Sequence, residues 1–374
     1  MNKSILIIAP HDKHLNNFSK HLQEIKYNEY SVDHFALSYG GENAPFRETL
    51  CLKKHFPAFF YRYFAGLLIY IDVILTFRKI KTHYDLINIH FVTLHSFFLL
   101  PFLKKKAAKL ILTPWGSDAL RVNHPVVVWC LRKLYAAADY VTLANIRFRQ
   151  DVLKKFNFDP NKIVELSYGA EMIDVIAEEL VEPAEAKRRI GFPDSFIITV
   201  GYNRSPLQNH RSIIQAIIAC KDQLPENLCV AFPFTYNGTL EPYKSELKSI
   251  LDEAKIDSVF FESFLSNEKL RDLIYATDLF VHAQETDANS ASMQEYLLAG
   301  KTVVNGSWLQ YDQLEKISKP YYSAQDKNTI EQSLQEVIDN QYNSKVTDYH
   351  IEEIKKFGWK QKAKEWNQFF SNLS

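Results

Sequence analysis

Two carboxylates with seven residues between them, Asp287 and Glu295, lie within DLFVHAQETDANSASMQEYLLAG, residues 278–300. The stretch opens on apolar Leu279-Phe280-Val281, which reads as a strand, and passes through the polar turn Glu285–Asn289. Helix-forming residues then run from Ser290 to Ala299 and stop at Gly300, where a helix end favours glycine. The first turn of a helix leaves backbone N–H groups unpaired and its dipole favours an anion, so Ser290, Ala291 and Ser292 suit a diphosphate. Carboxylates accept hydroxyl hydrogen bonds well, so Asp287 can meet a sugar hydroxyl while Glu295 grips a second diol. A smaller role is also open: Ser292-x-x-Glu295 has capping-box spacing, in which Glu295 only ties down the helix start.

The elements that must hold these residues follow from the rest of the chain. At 374 residues it is long enough for two ordinary domains, and 47% hydrophobic with 24% charged residues is a globular composition. Cys51, Cys130, Cys220 and Cys229 have no C-x-x-C spacing, and Ser4–Ala9 is too short an apolar run for a signal peptide, so a reducing cytoplasm is the expected setting. Net charge is zero, but residues 1–170 hold 23 Lys and Arg against 13 Asp and Glu, and the remainder 21 against 31. A basic first half favours an anionic partner such as a membrane surface or phosphorylated lipid, and nucleic acid would call for a more basic domain overall. The same asymmetry is also compatible with two domains that simply attract each other.

Apolar runs at Ser4–Ala9, Ser31–Leu37, Asp85–His90, Leu110–Thr113 and Ala138–Ala144 read as strands separated by helices, the pattern of a parallel sheet. No G-x-G-x-x-G follows the first strand, which argues against a dinucleotide-binding dehydrogenase; His11 and His14 lie in its loop, and Gly40-Gly41 marks a turn after the second. Residues 56–77, FPAFFYRYFAGLLIYIDVILTF, are apolar and aromatic, but Arg62 and Asp72 within them argue for a helix buried under the sheet or lying in a membrane interface instead of a span. Lys104-Lys105-Lys106 is a solvated helix end or a contact to anionic lipid. An acidic linker, Ala170–Asp194, precedes a second strand series at 195–200, 228–232, 258–261, 279–281 and 302–304. Helices are expected over Asn328–Asn340 and Ile351–Phe370, the latter with a core-type aromatic stripe.

The acidic pair before a helix ending in Gly resembles the signature of the retaining nucleotide-sugar glycosyltransferases of family four, which have the GT-B fold. The resemblance implies an α/β chain of two Rossmann-like domains facing a cleft. These are an acceptor-binding domain at 1–175, a nucleotide-sugar-binding domain at 195–350, and a helix at 351–374 returning to the first. It implies ribose binding by Glu295 and a place beside the donor sugar for Asp287. Gly116-Ser117-Asp118 matches the family's H-G-x-D turn with Trp115 in place of the His, where it can stack on a sugar, and His90 matches a further position. In the loop Gly201–Arg204, Arg204 corresponds to the family's phosphate-binding Arg, while Gln208 stands where a Lys is usual, so His210, Arg211 or Lys301 is expected to compensate. Phe264 lies in the region that faces the nucleobase, with core packing as its other reading. The implied catalytic set is Asp287, Arg204 and Asp118.

The implied reaction moves a sugar from a nucleotide-sugar, a substrate and not a cofactor, to a hydroxyl acceptor, with no metal required. A glycan or lipid-linked precursor of a bacterial surface polysaccharide, met at the inner membrane face, fits the basic first half. A sugar-nucleotide epimerase and a catalytically inactive nucleotide-sugar-binding protein share the same expectations of fold.

Overall fold

The computed structural model describes residues 3–10, 13–24, 30–39, 46–236, 238–287, 289–309 and 311–373, without the side chains of 13 and 14. It divides into two compact units, Met1–Gly169 with Trp359–Ser374, and Ala170–Gly358. Both are parallel α/β units.

In the first unit the elements run β1 Lys3–Ala9, α1 Lys13–Glu24, β2 Tyr30–Ala36, β3 Thr49–Cys51, α2 Ala58–Phe77, β4 Tyr84–His90, α3 Leu94–Lys106, β5 Ala107–Thr113, α4 Ser117–Leu120, α5 Pro125–Ala137, β6 Tyr140–Leu143, α6 Ile146–Phe156 and β7 Ile163–Glu165. Seven parallel strands lie in the order β3-β2-β1-β4-β5-β6-β7. The order reverses between β1 and β4, so the loops leaving these strands part at the carboxyl edge and open a crevice there.

The second unit begins with α7 Glu171–Glu178 and α8 Pro183–Ile190, which occupy the stretch expected to be a linker. Met172, Ile173 and Ile176 of α7 are buried in the same cluster as Ile197 and Phe280, so this stretch is part of the second core. It continues β8 Phe196–Val200, α9 His210–Ala219, β9 Leu228–Phe232, α10 Tyr243–Glu253, β10 Asp257–Phe260, α11 Asn267–Ala276, β11 Leu279–His282, α12 Ala291–Leu298, β12 Thr302–Gly306, β13 Tyr322–Ala324, α13 Ile330–Asp339 and α14 Asp348–Lys355. Its order, β10-β9-β8-β11-β12-β13, reverses between β8 and β11. Short runs such as IITV and LCVAF are buried on both faces, as a helix-covered parallel sheet requires.

The final helix, α15 Trp359–Asn372, belongs to the first unit. The residues expected to form one helix from Ile351 are instead two, α14 and α15, because the chain turns at Lys356–Gly358 and Phe357 C=O accepts from Ala170 N–H at 2.9 Å. Trp359, Trp366 and Phe370 of α15 are buried against Ile5, Ile7 and Phe18, which makes the aromatic stripe core. Lys3 Nζ donates to the carbonyls of Ser371 (2.6 Å) and Leu373 (2.9 Å), a cation on a helix C-terminus that joins the two chain ends.

Candidate functional site

At the carboxyl edge of the second sheet, the loops after β8 and β11 flank the reversal of strand order. The β11 loop carries the acidic pair. Ser290 caps α12, its Oγ accepting from Met293 N–H at 3.2 Å, so the first-turn amides of Ala291 and Ser292 have no intrahelical partner. The cap therefore sits two residues before Ser292, and Glu295 is not the third residue of a capping box. Glu295 lies one turn into α12, is 7% exposed, and makes no side-chain hydrogen bond or ion pair among the described residues. Burial alone pushes its carboxyl up to about 7.

Asp287 is placed by partners from its own loop and from the loop after β12. Its Oδ1 accepts from Asn289 N–H (3.1 Å) and its Oδ2 from the Tyr311 hydroxyl (3.2 Å). His282, the last residue of β11, puts Nε2 3.6 Å from Oδ2, beyond hydrogen-bond reach. Asn305 of β12 uses its amide N–H groups on the carbonyls of Gly306 (3.1 Å) and Leu309 (2.9 Å), leaving its oxygen to accept from His282 Nδ1 at 2.8 Å. The His282 ring is therefore held with its bare nitrogen toward Asp287, and burial lowers its pKa so that it stays neutral.

The β8 loop meets this from the other side of the reversal. Gly201 has φ +61, and a Cβ there would fall 2.9 Å from Gln208 Oε1 and 3.2 Å from His210 Nε2, so only glycine lets the loop fold this closely. Gln208 is buried and donates to Gln284 Oε1 (3.0 Å), which also accepts from the Tyr202 hydroxyl (2.8 Å). Arg204 donates one guanidinium N–H to Thr235 C=O at 3.3 Å. Buried polar atoms here without a partner among the described residues include Arg204 Nε, Gln208 Oε1, His282 Nε2 and Gln294 Oε1. Buried polar atoms are ordinarily paired, and such a group at a strand-order reversal marks a place for a polar ligand.

The carboxyl edge of the first sheet is built differently. Asp118 accepts from the backbone N–H groups of Val92 (2.6 Å), Trp115 (2.9 Å) and Gly116 (2.9 Å). Those bonds oppose a burial that holds its carboxyl up at about 6. Trp115 Nε1 donates to the Tyr168 hydroxyl at 2.8 Å, and that hydroxyl also meets His90 Nδ1. His90 is fully buried, and desolvation drops its pKa to about 3, so it is neutral. Gly116 has φ +120, which carries the chain from β5 into α4 and leaves Ser117 exposed.

Comparison with known proteins gives this arrangement its context. Residues 12–170 match the model of Glycosyltransferase Family 4. Structures similar over nearly the whole chain include HepE of Anabaena in complex with UDP and glucose (TM-score 0.72, 13% identity, 99% of each chain) and sucrose-phosphate synthase of Thermosynechococcus elongatus (0.72, 14%, 99% of each). The fold is GT-B. The lipopolysaccharide outer core galactosyltransferase WaaB shares it, at TM-score 0.65 and 10% identity over 98% of this chain and 99% of that one. No curated protein matches the chain.

Within this GT-B chain, the second unit gathers Asp287, Glu295, Ser290, Ala291, Ser292, Gly201 and Arg204 at one sheet edge. Phe264 is also at that edge but 66% exposed, stacked on Tyr236 with ring centroids 5.5 Å apart, so core packing is not its role. Of the three residues expected to compensate for Gln208, Lys301 lies at the opposite edge, before β12, with its Nζ on Tyr275 C=O, and Arg211 is exposed and ion-paired with Glu246. Only His210 faces the loop, buried and pushed down to about 3, which makes it a neutral donor or acceptor instead of a cation. In the first unit Asp118, expected among the catalytic residues, has its carboxylate committed to backbone amides, so it positions Trp115 and Gly116. His11, the side chain of His14, and Gly40-Gly41 fall outside the described residues. Sequence reasoning missed His282, Asn305, Tyr311 and Gln294; a polar residue ending an apolar strand, as in LFVH and TVVN, was the available signal.

Proposed function

We propose that the chain is a retaining glycosyltransferase that transfers a hexosyl or related sugar from a nucleoside-diphosphate sugar to a hydroxyl of a lipid-linked acceptor in surface-polysaccharide synthesis. The observation that carries this is Glu295, a buried carboxyl without a partner among the described residues, one turn into the helix whose first amides face the strand-order reversal. A ribose diol supplies the two donors that Glu295 lacks. The α12 amides of Ala291 and Ser292 and the guanidinium of Arg204 take the diphosphate, whose charge grows as it leaves. Asp287, held by Asn289 N–H and the Tyr311 hydroxyl, accepts from a sugar hydroxyl.

In the transfer, the bond from the anomeric carbon to the phosphate oxygen breaks with its electron pair going to the diphosphate. The acceptor oxygen bonds to the same face of that carbon, and its proton passes to the departing phosphate. Trp115, held by Tyr168, offers the acceptor an aromatic face on the first unit. HepE, in complex with UDP and glucose, and WaaB, a lipopolysaccharide outer core galactosyltransferase, support testing UDP-sugars and lipid-linked acceptors first. The test is a transfer assay with a panel of nucleotide sugars and lipid-linked acceptors, read by NMR of the anomeric proton. Product with the donor's anomeric configuration supports the proposal; inverted product, or donor consumed without acceptor, contradicts it.

A further inference from the structure

The first unit carries a second surface that the transfer chemistry does not use. Helix α2 has 20 residues against 13 in α3. At about 1.5 Å per residue it outruns its neighbour by roughly 10 Å. Its second half is packed into the protein, with Leu68, Val73, Thr76 and Phe77 buried. Asp72 in that half accepts from the Tyr39 hydroxyl (2.6 Å), from Tyr61, and from His55 N–H (3.1 Å), which anchors the helix.

The first half is bare. Phe59 is 66% exposed and Leu67 62%, with Phe60, Tyr63 and Phe64 exposed between them. The regular helical dihedrals break at Phe64 (φ −127, ψ 21), the centre of this half. Trp129, 56% exposed, and Val126 add to it from the first turns of α5, and Phe97 of α3 bridges to Trp129 with centroids 6.4 Å apart. Helices that follow parallel strands start at the carboxyl edge of the sheet, so this apolar face and the loop holding Trp115 share one end of the unit.

Charge decides what covers the face. Residues 49–138 contain thirteen Lys and Arg and three Asp. Asp72 and Asp118 are buried, and Asp85 is held on the backbone N–H of Ser4 (2.7 Å). Lys53, Lys54, Arg62, Arg132 and Lys133 are exposed. Exposed aromatic rings with cations around them and no available carboxylate complement an anionic bilayer, with the rings at the headgroup boundary and the cations on phosphates. The bare half is too short to span, since a bilayer core of ~30 Å needs ~20 residues and the remainder of α2 is occupied by protein.

We propose that the first half of α2, with Val126 and Trp129 of α5, docks on an anionic lipid bilayer as a monotopic surface. Lys104 and Lys105, named from sequence as a lipid contact, end α3 at the other edge of the sheet, and Lys106 is tied to Ile80 C=O, so this run is not part of the face. That docking delivers a lipid-linked acceptor rests on the transferase reading; docking itself does not.

The test is co-sedimentation of the full chain with vesicles of phosphatidylcholine alone or with about one third phosphatidylglycerol, without any sugar nucleotide. Wild type should bind the anionic vesicles at least tenfold more tightly than the neutral ones. Phe59→Ser/Tyr63→Ser/Leu67→Ser and, separately, Lys53→Gln/Lys54→Gln/Arg62→Gln should each lose about tenfold. Lys104→Gln/Lys105→Gln should change binding less than twofold. Circular dichroism and nucleotide binding, measured on each variant, separate lost docking from lost folding and from failure of the transferase reading. No binding by wild type, equal loss in the Lys104/Lys105 variant, or a self-associating wild type that the serine variant renders monomeric without any effect on vesicles would overturn the proposal.

Discussion

The two sheets reverse strand order at the same place, between their first and fourth strands, yet their carboxyl edges hold their buried carboxyl in opposite ways. In the first unit Asp118 has three backbone donors and Trp115 and His90 share one tyrosine hydroxyl, so the turn is a braced platform. In the second unit, among the described residues, Glu295 is buried with no partner, and Arg204, Gln208, His282 and Gln294 each keep an unpaired buried atom. Three backbone donors partly offset the desolvation of Asp118, whereas among the described residues nothing offsets that of Glu295 until a ligand arrives. A carboxyl that spends stability when empty is one that binding can reward.

The contrast can be broken most sharply through pH. Glu295 is raised from its ordinary value to about 7 in the folded chain, so the folded state holds its proton more tightly than the unfolded one. The sign follows: this contribution is fully present below pH 4.5 and is lost as pH rises through 7. Glu295→Gln should therefore be more stable than wild type at pH 8, relative to pH 5, by about 3 kcal/mol in urea unfolding. A wild type that gains on the variant with rising pH would place a hidden partner on the carboxylate.

Asp118→Asn probes the braced edge. The new amide turns a donor toward either Val92 N–H or the Trp115 and Gly116 pair, and about 2 kcal/mol of stability should be lost while nucleoside diphosphate affinity is unchanged. Unchanged stability with abolished transfer would instead make Asp118 a catalytic group. Arg204→Ala should weaken nucleoside diphosphate binding about tenfold, the usual worth of a charge-assisted contact, with little effect on a nucleoside lacking phosphate. Equal losses for both would remove Arg204 from the phosphate site. The smallest effect belongs to Phe264→Ala. Exposed and stacked on Tyr236, it should cost about threefold in nucleotide affinity and nothing measurable in melting temperature.

Much of this was readable in the chain. Apolar runs alternating with helical stretches gave the parallel sheets, and the spacing of Asp287 and Glu295 located the second edge. What the sequence hid was brought together by sheet order. Asn305 reaches His282, and Tyr311 reaches Asp287, only because β12 pairs with β11, and no linear spacing encodes that pairing. The three-residue strands β3 and β13 were too short to show a period. The break before α15 was missed because helix formers surround it. Gly358 permits it by passing against the Asp174 carboxylate, where any Cβ would collide. For α2, aromatic composition could not divide a helix that is half core and half surface; Asp72, buried among tyrosines, marks the division.

The most direct test of the donor site is a calorimetric titration of UDP, GDP and ADP into wild type and Glu295→Ala at pH 8. Wild type should bind one nucleotide, and the variant should bind it at least about a hundredfold more weakly, the loss expected when a buried carboxylate no longer holds a diol. Equal affinity in the two proteins, with either nucleotide bound elsewhere or none bound at all, would contradict it.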